Sequence, residues 1–110
     1  MIPDPAPPFE VDASGKIKEL IRRMLQRATE LGVQPNIAQS LSDILQHLTT
    51  NARGWGDPLW HFRAMQMTQY GGTMYGFRCE YSVHDRISTV VLTDLFPLPG
   101  SPLYGETFDV

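Results

Sequence analysis

The stretch Thr73-Met74-Tyr75-Gly76-Phe77-Arg78-Cys79-Glu80-Tyr81-Ser82-Val83 decides the fold. Its odd positions hold Thr73, Tyr75, Phe77, Cys79, Tyr81 and Val83, and its even positions hold Met74, Gly76, Arg78, Glu80 and Ser82. This two-residue alternation predicts a strand with one apolar and one polar face, because successive side chains of extended backbone point to opposite sides.

Outward from it, Ile87 to Phe96 is rich in β-branched residues and reads as a second strand. His84, Asp85 and Arg86 form the polar turn of a β-hairpin. Upstream, Trp60 to Tyr70 reads as a third strand whose alternation slips at Ala64 and Met65, with Gly71 and Gly72 as the turn into the next strand.

The first half of the chain has another period. Ile17, Leu20, Ile21, Met24, Leu25, Ala28 and Leu31 recur at the three-four spacing of an amphipathic helix over Lys16 to Leu31, capped by Asp12 or Ser14. Gly32 ends it and Pro35 opens a second helix. Ile37, Leu41, Ile44, Leu45 and Leu48 carry that helix to about Thr50, before Gly54 and Gly56. The short connection makes the pair an antiparallel helical hairpin.

The resulting fold class is α+β, a helical hairpin packed on a three-stranded antiparallel meander, with Phe9, Glu10 and Val11 available as a fourth, short edge strand. Residues 1–11 read as a proline-rich tail, 12–96 as one domain, and 97–110 as an irregular arm broken by Pro97, Pro99, Gly100 and Pro102. With the helices on one side, the other sheet face is left open, carrying Arg78, Glu80, Ser82 and His84.

Composition bounds the function. A chain of 110 residues, 42% hydrophobic, supports one core. Nine Lys and Arg against twelve Asp and Glu give a formal charge of -3, so a basic field over the whole chain for gripping nucleic acid is excluded. Basic residues concentrate in the first helix, at Lys16, Lys18, Arg22, Arg23 and Arg27, a pattern that any solvated helix face shows and that also suits an acidic partner or nucleic acid. The lone Cys79 offers no intramolecular disulfide and no thiolate cluster, which fits a reducing cytoplasm. No apolar run approaches the roughly 20 residues needed to cross a bilayer, and no signal peptide is expected. Phosphate-loop and dinucleotide fingerprints are missing, and His47, His61 and His84 lack metal-ligand spacing, so neither cofactor nor metal is expected.

Tyr75 to Val83, with its aromatic-Arg-x-x-Tyr-x-Val order, resembles the central strand of the RelE/ParE superfamily of bacterial toxins. The helical hairpin before it, the Gly56-Asp57-Pro58-Leu59 loop, Phe62 and Arg63, and the valine-rich strand at Thr89 to Thr93 extend the resemblance over most of residues 12–96. It implies a toxin of a type II toxin-antitoxin or plasmid-stabilisation system, paired with an antitoxin and acting on ribosome-bound messenger RNA or on gyrase. In the nuclease branch, the role of stabilising charge on the scissile phosphate falls on Arg78, with Arg63 as the basic residue of the preceding strand. Met65 stands where a second lysine is usual, and Thr93, Asp94, Leu95 and Phe96 replace the basic set near the last strand.

A guanidinium suits a phosphate because its planar fork stays charged and donates paired hydrogen bonds. For proton transfer the chain offers His61, His84 and Tyr104. Glu80, on the same face as Arg78, lowers the positive potential where a polyanion must approach. A second reading from another class is therefore a non-catalytic interaction module on the same fold that has lost the basic catalytic set. A third is homodimerisation through the open face, anchored by Trp55, Trp60 and Tyr70.

Overall fold

The computed structural model describes residues 8–108; most of the expected tail, residues 1–7, lies outside the described residues. The elements run β1 (Glu10–Ala13), α1 (Gly15–Glu30), α2 (Gln34–Trp55), β2 (Asp57–Phe62), a 3-10 turn (Arg63–Met65), β3 (Met67–Met74), β4 (Phe77–His84) and β5 (Thr89–Pro97). The architecture is α+β.

Ser14 caps α1, its hydroxyl accepting from the Ile17 amide, and so fills one orphan donor of the first turn. Gly32, at φ +75°, reverses the chain. Val33 caps α2, and its amide donates to the Ala28 carbonyl. Asn51 breaks the helical dihedrals of α2 one residue past the expected end at Thr50, and a further turn runs on to Trp55.

The sheet differs from the expected three-stranded meander. It has five strands in the order β1-β5-β4-β3-β2, and it is mixed, since β1 lies parallel to β5 while the other neighbours are antiparallel. Two turns fall elsewhere than the sequence pattern places them. The Trp60 to Tyr70 run is a hairpin rather than one strand: Arg63–Met65 and left-handed Gln66 reverse the chain with no glycine or proline to mark the spot. The stretch from Thr73 is likewise split by a two-residue turn, with Tyr75 and Gly76 at φ +52° and +84° and Met74 opposite Phe77.

Gly71 and Gly72 therefore lie inside β3, where a strand glycine marks close approach of a neighbouring group. A β-carbon on Gly72 would meet the Trp55 ring at 3.3 Å, and one on Gly71 would meet the Arg78 guanidinium at 2.5 Å. One glycine admits a core aromatic and the other admits an arginine on the opposite face.

The core lies on the helix side of the sheet. Ile17, Leu20, Met24 and Ala28 of α1 and Ile37, Leu41, Ile44, Leu48 and Ala52 of α2 meet Phe77, Cys79, Tyr81 and Val83 of β4 and Val90, Leu92 and Leu95 of β5. Tyr81 is stacked between Trp55 and Tyr70, with ring centroids 5.4 and 5.5 Å away. Its hydroxyl donates to the Ala52 carbonyl and accepts from the Gly56 amide, both at 2.9 Å, which ties the end of α2 to the sheet. After β5 the described residues of the arm are anchored: Leu103 is fully buried and Glu106 pairs with Arg27 at 3.1 Å.

Candidate functional site

Residues directly opposite each other on neighbouring strands share a face. The register sets Arg78 across from Thr73 on one side and Phe96 on the other, and sets Glu80 across from Gly71 and Asp94, with Asp57 beyond Gly71. All of these project from the side away from the helices, because the alternate residues Phe77, Cys79 and Tyr81 are buried beneath α1 and α2. The open polar face expected from the alternation of β4 is present.

Arg78 lies across this face. Its guanidinium occupies the space over Gly71 beside Leu59, and it stands 3.8 Å from a Glu80 carboxylate oxygen. That places it in the carboxylate row of Asp57, Glu80 and Asp94, where it offsets the repulsion between like charges on adjacent strands. Each side chain of the pair is about one third exposed, at 35%, so solvent screening holds its net value to roughly 0–1 kcal/mol.

The other candidate residues are not gathered around Arg78. Arg63 sits in the turn beyond Phe62 and Met67, which lie level with His84. From His84 to Arg78 the strand runs six residues, about 20 Å at the usual rise. His84 shares the open face, but at that far end, and its Nδ1 accepts the amides of Arg86 and Ile87, so it caps its own turn. His61, opposite Thr68 and through it Val83, faces the helix side of the sheet. There its Nε2 bonds Asp85 at 2.8 Å, and Thr68 donates to the same carboxylate at 2.9 Å. These two bonds, the His61 one foremost, hold the Asp85 carboxyl below its ordinary range. Tyr104 is exposed in the arm.

Cys79 is buried opposite Gly72, and burial pushes its thiol up to about 12, which leaves it inert at neutral pH. The basic residues of α1 are largely paired. Glu19 holds Arg22 and Arg23 at 2.6 and 3.0 Å, Arg27 spans Glu30 and Glu106, and Lys18 stands 3.7 Å from Asp12. The two arginines, through hydrogen bonds to its carboxylate, lower Glu19 to about 2. This is the ordinary charged face of a helix.

Besides Trp60, which the sequence already names as an anchor, the open face carries apolar residues that the pattern did not single out. Trp60 and Phe62 lie on one side of β2, their centroids 6.5 Å apart, and Trp60 pairs with Gln69, which pairs with Ser82 of the open face. Leu59, at the irregularity between Pro58 and Trp60, reaches the space above Gly71, and Phe96 flanks Arg78. Trp60 is 65% exposed, whereas Trp55 and Tyr70 are half-buried and stacked on Tyr81 on the helix side of the sheet, away from the open face. The strand read from Trp60 already sets Trp60 and Phe62 on one face; reading Gly56 to Leu59 as a loop is what left Asp57 and Leu59 out of it.

No group of His, Cys, Asp and Glu suited to a metal ion occurs among the described residues. No helix among them is long and apolar enough to cross a membrane. No family model matches the chain, and a search of curated proteins gives no match.

Proposed function

We propose that this chain is a non-catalytic protein-interaction module on a RelE/ParE-like frame, and that its partner docks on the open sheet face. The observation that carries the reading is the setting of Arg78: paired with Glu80, placed in a carboxylate row, and separated from Arg63, His61 and His84. Phosphodiester cleavage needs a proton acceptor, a proton donor and positive charge converging on one phosphate. Here the charge is offset locally, one imidazole faces the other side of the sheet and the other caps a turn about 20 Å away. An uncovered face bearing Leu59, Trp60, Phe62 and Phe96 is suited instead to burying a partner's side chains.

The toxin reading, with an antitoxin as partner and messenger RNA or gyrase as target, retains one observation in its favour: the Arg78 guanidinium is open to solvent on an uncovered face. A bacterial cell-free translation reaction and a gyrase supercoiling assay, each dosed with purified protein, separate the two. The interaction module leaves both unchanged. Inhibition of either that disappears in Arg78→Ala would overturn it.

A further inference from the structure

We infer that the occupant of the open face is a basic, extended segment of a partner protein, with arginine or lysine alternating with apolar residues, added beside β2. The inference deepens the proposed interaction module and depends on that reading.

Charge selects the occupant. Asp57, Glu80 and Asp94 lie in one row across the face; Asp12, opposite Val91 and through it Ser82, lies toward β1 but is offset by Lys18 at 3.7 Å. Arg78 offsets a single carboxylate of the row. A second copy of this chain presenting the same face would set carboxylates against carboxylates, and a nucleic acid would bring phosphates to them; both are disfavoured by like-charge repulsion. A cationic segment is complementary.

Shape and chemistry of β2 select the mode. It is the edge strand of the sheet, six residues long and exposed throughout, so one side of its backbone faces no neighbouring strand among the described residues. An added strand satisfies those groups. It would bring every second side chain onto the open face beside Trp60, Phe62 and Asp57. A guanidinium there stacks on the exposed indole while pairing with the carboxylate, and its methylene stem covers Phe62. Alternate residues fall on the other side of the sheet, near Pro58 and His61, where small apolar side chains fit.

The test uses the full chain, isotopically labelled, titrated with an acetylated and amidated (Arg-Val)4 peptide while backbone amide shifts are followed. Counterparts (Glu-Val)4 and (Ser-Val)4 and a single-stranded RNA oligonucleotide serve as the other arms. The expected result is saturable shifts confined to β2, β3 and the open face with the arginine peptide alone, weakening as salt is raised. Trp60→Ala is expected to weaken binding about tenfold and Asp57→Asn several-fold, since truncating a central aromatic or one charge typically costs that much. Both side chains are exposed, and an otherwise unchanged spectrum confirms that each variant folds.

Equal binding of the serine or glutamate peptide on the same face would overturn the basic occupant while the interaction module stands. Shifts on α1 instead, no shifts with any peptide, or protein-concentration-dependent shifts at β2 that mark self-association would also overturn it. Hydrolysis of the RNA that is lost in Arg78→Ala would overturn both the inference and the reading beneath it.

Discussion

Tyr81 joins the two halves of the molecule through one side chain. Its ring lies between Trp55 and Tyr70, and its hydroxyl bonds both Ala52 and Gly56. Burial raises the phenol to about 12, so it stays a neutral donor over the ordinary pH range. Tyr81→Phe keeps the stack and strands a buried carbonyl and an amide at the end of α2. A loss of about 1–3 kcal/mol of stability is expected, read as a lower denaturation midpoint with an unchanged slope. Arg78 shows how a residue can be legible in kind and not in role. Alternation in β4 placed it correctly on the open face, together with Glu80, because both lie within one regular strand. What the pattern did not contain was Gly71 on β3, whose missing side chain leaves space for the guanidinium, or Asp57 and Asp94, which the register sets in one row with Glu80. Those neighbours come from other strands and depend on register.

At the scale of elements, the helices were legible in place and facing, though not in the extra turn of α2 up to Trp55, since the three-four spacing of Ile17, Leu20, Met24 and Ala28 and of Ile37, Leu41, Ile44 and Leu48 is the core-facing stripe itself. Most strands were legible, but of their turns only the polar one after His84 was. Gly71-Gly72 resembles a turn but provides clearance for side chains, whereas the real reversal at Arg63–Gln66 uses residues with no turn signature and is tied down from outside, by the Asp85 amide donating to the Gln66 carbonyl. The parallel pairing of β1 with β5 joins segments far apart in the chain and has no local signal. Gly56 illustrates clearance of the same kind. A β-carbon there would lie 2.6 Å from the Tyr81 hydroxyl and 3.2 Å from the Gly71 carbonyl, one on a fixed ring and the other on backbone. Gly56→Ala is expected to destabilise the fold by about 1–3 kcal/mol through overpacking, whereas Gly15→Ala, with open space around it, is expected to be near neutral. Parallel chemical denaturation of the two variants checks this.

Over the whole molecule, the helix side of the sheet holds the core together, and the other side is left open among the described residues. Charge pairs stitch the periphery. Glu19 beside Arg22 and Arg23, and Asp85 beside His61 and Thr68, are carboxylates held below their ordinary values of 4.5 and 3.8. A folded-state value lowered relative to the unfolded chain contributes stability above the unfolded value and loses it as pH falls through the folded one. Stability is therefore expected to decline below about pH 4.5, with the Glu19 part lost as the pH approaches about 2. Thermal midpoints measured across this range should fall less steeply in an Asp85→Asn, Glu19→Gln double variant than in the wild type. On the proposed reading this division of the sheet sets what the protein does in a cell: an arginine paired with a neighbouring carboxylate and set apart from the imidazoles of His61 and His84 is expected to serve binding and not cleavage. Induced expression in a bacterial host, with growth and bulk protein synthesis followed for wild type and Arg78→Ala, tests this most directly. The account predicts undisturbed growth and synthesis with either protein; arrest by the wild type that the substitution relieves would contradict it.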